Sequence, residues 1–305
     1  MIVASPSSVG ETLVVLGLSS YLRKTQGKLT LLLRAEHQSL LKYFDLEGIT
    51  LKFGTLTQIR NYAVANGFGV SERSKKSVSI DPFSNGDLAL FKKIIERECS
   101  WTPVSYIKWC LGVPDHVSVS LPVAESKVVK DCAGVENMIF FSVGSNTNTP
   151  MPARLIKVLT DQLANEGCRF FYNIQGAHHF PLIRFPESEV RFDLSDAVNV
   201  FLNSAGGFVS SSGLGGLLGS LQSTVRKPPL WVIKTDQIRV EENGHVVDKE
   251  IFGNSNFRSY IPNETQMISD LDRYFEIDVA VKSSVMQCDL IANEMLECFR
   301  HLRNS

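Results

Sequence analysis

Residues 204–221 (SAGGFVSSSGLGGLLGSL) constrain the fold more than any other stretch of the chain. A short apolar strand, Gly207–Val209, runs into three serines. It then passes Gly213, Gly215 and Gly216 into an apolar helix over Leu214–Leu221. A strand that turns into a helix through glycines is the βα unit of an α/β domain. The same turn offers bare backbone N–H groups and a helix N-terminus to an anion. Serine hydroxyls add donors, and glycine lets the backbone come close to a phosphate. Glycines needed only to pack helix on strand would leave the same pattern, and that alternative stays open here.

The alternation extends along the chain. Ile2–Ala4 reads as a strand and Glu11–Arg23 as a helix with an apolar face of Leu13, Leu16, Leu18 and Leu22. Leu29–Leu33 is a continuous apolar run, the mark of a strand buried on both faces of a parallel sheet. A short helix at Gln38–Phe44, a strand at Ile49–Phe53 and a helix at Thr57–Ala65 follow. Ser71–Ile80 is polar and basic, then extended; Gly86–Glu98 and the aromatic-rich Trp101–Leu111 read as helices. Residues 114–135, with Pro114 and Pro122, form a connector. A second series comprises strands at Asn137–Val143, Arg169–Asn173 and Leu230–Ile233 and helices at Pro152–Asn165, around Val198–Asn203 and at Val285–Leu302. The expectation is an α/β protein of two doubly wound Rossmann-like domains facing a cleft, 1–130 and 131–305. Ligands of such sheets lie beyond the carboxyl ends of the strands. That singles out three loops: Ser5–Glu11, Gly144–Pro150 and Ser210–Gly216.

Charge and cysteine usage remove several classes of function. The formal net charge is −1, without a strongly basic segment, so nucleic acid is not expected as a partner. Six cysteines (Cys99, Cys110, Cys132, Cys168, Cys288 and Cys298) form no CxxC pair and none has zinc-ligand spacing to a histidine. Reduced thiols and no metal site are expected. The chain enters its first strand without a basic leader, and no apolar run approaches the roughly 18–20 residues that span a bilayer. A cytoplasmic location is expected, with peripheral contact at the inner face of the membrane left open.

The segment Ser5–Leu13 (SPSSVGETL) resembles the opening of the bacterial heptosyltransferases, family-9 glycosyltransferases of the GT-B fold. Ser7, Ser8, Gly10 and Glu11 fill the places of that family's Ser-Ser-x-Gly-Asp loop. Phe140–Asn146 is similar to its first donor-domain strand and loop, Gln175–His179 to a later turn, and Ser211–Leu217 to its Asp-[Ser/Thr]-Gly-x-x-His motif. Ser211 stands where that motif has Asp, Gly216 where it has His, and the family lysine falls near Thr149. The resemblance implies transfer of a sugar from a nucleotide-sugar donor to a glycan or glycolipid acceptor, as in lipopolysaccharide biosynthesis. It implies an inverting reaction without metal or further cofactor.

Such a transfer needs a base for the acceptor hydroxyl and positive potential at the departing nucleoside phosphate. By this resemblance Glu11 is the base, with Ser7, Ser8 and Gly10 as the acceptor loop. A glutamate opening a helix also complements the helix dipole, which alone is worth about 0.3–1 kcal/mol. Ser211, Ser212, Gly213, Leu214, Gly215 and Gly216 form the candidate phosphate cradle, with Ser145, Asn146 and Thr147 on the preceding loop. Gly176 and His178 are weaker candidates for the nucleotide's base or ribose. Asp270–Asp272 has the form of a metal-binding DxD, but in the helix expected there the two carboxylates would not share a face. Two alternatives stand beside this reading: a donor with a CMP, UDP or GDP leaving group, and a GT-B-like protein that binds without catalysing.

Overall fold

The computed structural model describes residues 1–6, 8–74, 76–96, 101–124, 137–142, 151–173, 189–190, 194–223, 226–235, 237–242, 245–250, 267, 269–280 and 282–304. The chain divides into two compact units. The first contains Met1–Ala124, Ser220–Gln222 and Tyr260–Met267, and the second the remainder.

In the first unit β1 (Ile2–Ser5) leads into α1 (Val9–Gln26) and β2 (Leu29–Arg34). A 3-10 helix (Ala35–Tyr43), β3 (Ile49–Gly54) and α2 (Leu56–Ala65) follow. Then come β4 (Ser77–Ser79), α3 (Pro82–Asn85), α4 (Leu88–Glu96), α5 (Pro103–Leu111) and β5 (Val123–Ala124). The sheet order is β3-β2-β1-β4, all parallel. Ala4 and Leu32 pack on one face against Ile59 and Ala63 of α2. α1 is buried along Leu13–Leu18 and Leu22, as its leucine spacing predicts. Gly17 is required there, because a Cβ would lie 2.4 Å from Val119 Cγ1 and 2.5 Å from Ser120 O. The helix expected at Gly86–Glu98 is α4, Leu88–Glu96; the short α3 before it ends at Gly86, which takes the left-handed conformation at φ 84°.

The second unit holds β6 (Met138–Ser142), α6 (Ala153–Asn165), β7 (Arg169–Asn173), β8 (Glu189–Val190), α7 (Leu194–Leu202), β9 (Gly206–Ser210) and α8 (Gly213–Ser220). A short β10 (Gln222–Ser223) follows α8. β11 (Leu230–Thr235), the antiparallel hairpin β12 (Gln237–Glu242) and β13 (His245–Glu250), β14 (Tyr274–Val279) and α9 (Val285–Asn304) complete the chain. The sheet order is β14-β11-β9-β6-β7-β8, all parallel. An aromatic ladder crosses it in register. Ring centroids stand 5.1 Å apart for Phe141–Phe208, 4.9 Å for Phe208–Trp231 and 5.2 Å for Trp231–Phe275. Stacked pairs of this kind contribute about 0.5–1.5 kcal/mol each beyond area burial. Phe299 of α9 closes the ladder from one side. The hairpin and β14 were not among the expected elements. Asp270–Asp272 is not helical as expected: Asp270 has φ 53°, and Leu271–Arg273 is one 3-10 turn.

Candidate functional site

Each sheet has a point at which the winding reverses, and there two neighbouring carboxyl ends open a crevice that no crossover covers. In the second unit it lies between β6 and β9. Ser210 Oγ donates to Ser142 O at 3.2 Å, joining the last residues of those two strands. The Ser211–Gly216 turn starts at this point.

The turn is built by ordinary helix-capping physics. Ser211 N–H donates to Ile233 O at 2.8 Å, which extends the β9–β11 pairing by one residue. Ser212 caps α8: its Oγ accepts from Gly215 N–H at 3.3 Å, and its carbonyl accepts from Gly216 N–H at 2.9 Å. Two of the four glycine-turn amides are therefore engaged inside the helix. By helix geometry the first-turn amides of Gly213 and Leu214 have no partner four residues back. The Ser212 hydroxyl keeps its own hydrogen to donate. Gly215 meets the close approach foreseen for packing, since a Cβ there would lie 3.0 Å from Ser210 O. Packing thus accounts for Gly215, while the Gly213 and Leu214 amides are those the helix start leaves over.

Lys234 was missed by sequence reasoning. It follows Ile233, the β11 partner of Ser210, and stands at the carboxyl end of its strand. Its side chain is 3% exposed and its ammonium pairs with Glu276, which also accepts from Tyr274 Oη at 2.9 Å. Burial, then Glu276, pushes the Tyr274 phenol upward. The signal in the sequence was a lone cation ending an apolar strand, Leu230–Lys234.

In the first unit the winding reverses between β1 and β4. Ser5 ends β1 there, fully buried, with no protein partner for its hydroxyl among the described residues. Ser8, Gly10 and Glu11 come together in the first turn of α1, where Ser8 is the N-cap. The Ser8 hydroxyl donates to Glu11 Oε2, so serine and glutamate act as one unit at the helix start. Glu11 is half-buried. Beside it, Thr12 Oγ1 lies 2.9 Å from Nδ1 of the buried His37. Burial, reinforced by Arg34 and opposed by Glu36, lowers the His37 imidazole to about 4. Past the end of β4, Arg60 grips Asp81 with two hydrogen bonds, 2.9 and 3.1 Å.

Ser7, Ser145, Asn146, Thr147, Gly176 and His178 lie outside the described residues. Among the described residues, no group of three or more His, Cys, Asp or Glu could hold a metal ion.

The architecture is that of the GT-B class, an α/β fold of two Rossmann-like units. Within that class the chain is similar to the E. coli ADP-heptose lipopolysaccharide heptosyltransferase II, at 14% identity and TM-score 0.59, over 99% of this chain and 98% of that one. It is similar also to a family-9 glycosyl transferase of Veillonella parvula, at 13% identity and TM-score 0.55, covering 99% and 96%. The dodecameric heptosyltransferase TibC, solved in complex with ADP-D-β-D-heptose, aligns at 12% identity and TM-score 0.53, covering 98% and 75%. No protein-family model matches the chain, and no curated protein matches its sequence.

Proposed function

We propose that this protein is a glycosyltransferase that moves a sugar from a nucleotide-sugar donor to a glycan or glycolipid acceptor, with inversion and without a metal. One observation carries the reading: the serine–glycine turn at the winding reversal of the second sheet, in a fold shared end to end with heptosyltransferases. The Gly213 and Leu214 amides and the Ser212 hydroxyl would receive the donor's phosphates, with the α8 dipole favouring the charge that develops as they leave. Glu11, oriented by Ser8, would take the proton of the acceptor hydroxyl as that oxygen attacks the anomeric carbon. The C–O bond to the nucleoside phosphate breaks on the opposite face, which inverts the centre. The donor is ADP-linked or carries a CMP, UDP or GDP leaving group. Among the described residues no helix is long and apolar enough to cross a membrane, and we place a lipid-linked acceptor at a peripheral contact on the inner face.

Ser211 and Gly216 replace an acid and a histidine of the family motif, which favours a second reading as a non-catalytic nucleotide-binding subunit. A thermal-shift screen with ADP, UDP, GDP, CMP and dTDP and their sugar conjugates, with and without EDTA, addresses both. A selective rise that survives EDTA supports metal-free donor binding and identifies the nucleotide. Glu11→Gln should then lower transfer at least about 100-fold, the scale of a lost general base, while nucleotide binding stays as it was. Binding with no transfer by the wild type selects the second reading, and no binding at all removes both.

A further inference from the structure

α8 opens at the proposed donor cradle and ends on a buried lysine. We propose that Lys227 is the positioning residue of that cradle, holding the far end of the helix whose first turn faces the donor. Its Nζ donates to Leu218 O and Gly219 O, both at 3.2 Å, to Ser269 O at 3.3 Å and to Ser269 Oγ at 2.8 Å. The ammonium thus satisfies carbonyls that the end of a helix leaves without partners, and it complements the negative end of the dipole. The neighbours bind the same knot. Ser269 N–H donates to Gly219 O at 3.1 Å, and Arg273 Nη1 donates to Lys227 O at 3.1 Å. A Cβ on Gly219 would lie 2.7 Å from the Tyr274 ring, so the helix end rests directly on β14.

The length of α8 makes this anchor matter. Eight residues span only about 12 Å, and a helix so short does not hold itself in water. Its direction is set by what grips it: Gly215 against the end of β9 and Val232 of β11 in front, and Lys227 behind. The aim of the Gly213 and Leu214 amides follows from both. α8 carries no titratable side chain of its own. The Asp270 carboxylate lies 3.8 Å from the ammonium, and Arg273, which bonds the Lys227 carbonyl, itself feels Arg226, Asp272 and Asp270. Burial brings the ammonium down to about 8, with Asp270 opposing. Above that pH a neutral amine has two N–H groups for four acceptors, and the knot loosens.

The inference rests on the reading of the 211–216 turn as a phosphate site, and the test separates the two. Amide exchange is measured at pH 7 and pH 9 in the wild type, Lys227→Met and Lys227→Arg, as protection factors corrected for intrinsic rate. ADP and UDP binding is followed by calorimetry on the same samples. Gly215 and Gly216 should lose protection about tenfold relative to β9 in Lys227→Met, the scale of one charge-assisted hydrogen bond. The wild type should show the same loss between pH 7 and pH 9, with a midpoint near 8, and Lys227→Arg should not. Nucleotide affinity should fall in parallel. Protection in α8 that changes only in step with β9 and is flat with pH in the wild type overturns the proposal. So does nucleotide binding that is indifferent to the substitution and to pH. If Lys227→Met does not fold, the wild-type pH series decides. If the wild type binds neither nucleotide, the donor-site reading fails while the exchange data still judge Lys227.

Discussion

His37 shows how much one side chain depends on its surroundings. It is 1% exposed, bonded through Nδ1 to Thr12, and neutral in the fold because burial lowers it to about 4. In the unfolded chain it titrates near 6.5. Between those values the unfolded state binds more protons than the folded one, so stability rises with pH across the window and is lost as pH falls from 6.5 toward 4. The difference corresponds to on the order of 3 kcal/mol. Chemical denaturation at pH 4 and pH 7 should therefore show a smaller acid-side loss in His37→Gln than in the wild type. Arg34 deepens the effect and Glu36 softens it, so Glu36→Gln should enlarge the loss. At this scale the sequence was only partly legible. Glu11 and Ser212 announce themselves by standing at helix starts. His37, Lys227 and Lys234 are polar residues whose meaning comes from partners 25, 42 and 42 positions away, and no local pattern encodes such pairs.

Elements were legible where burial imposes a period. The continuous apolar runs of β2, β6 and β11 and the leucine spacing of α1 lie where the sequence places them. β14 is an edge strand whose Phe275, Ile277 and Val279 face the core while Glu276 stays partly exposed. Its alternation is the right signal, but it is short and its polar half resembles a loop. α3 is a single four-residue turn, Pro82–Asn85, too short to show an apolar period. The packing of α8 supplies a prediction at this scale. In Gly215→Ala the new methyl would face Ser210 O at 3.0 Å and Val209 Cγ2 at 3.4 Å, so the helix start or the end of β9 must give by a few tenths of an ångström. We expect a loss of about 1–3 kcal/mol in thermal or urea unfolding, together with weaker nucleotide binding. Gly69→Ala, whose nearest neighbour would be Arg73 Cβ at 3.6 Å, should be tolerated and serves as the contrast.

Across the whole molecule, the likeness to heptosyltransferases spans nearly every residue at 14% identity or less. A parallel sheet asks little of sequence beyond apolar runs, βα turns and right-handed crossovers, so the architecture survives changes that rewrite its loops. In the Ser211–Gly216 turn the chain departs from the motif it resembles, with Ser211 and Gly216 standing where that motif has an acid and a histidine. The candidate groups for the donor's phosphates all belong to the second unit, and Glu11 belongs to the first. A nucleotide at about 100 times its dissociation constant stabilises whatever it binds by about 2.7 kcal/mol. If the second unit opens on its own, its slowest-exchanging amides, in β6, β9 and β11, should slow about 100-fold with saturating nucleotide, and those of β1 and β2 should not change. Hydrogen exchange followed by mass spectrometry reads both sets in one experiment. Equal slowing in the two sheets would mean that the units unfold together, and slowing confined to β1 and β2 would move the nucleotide to the other half of the chain.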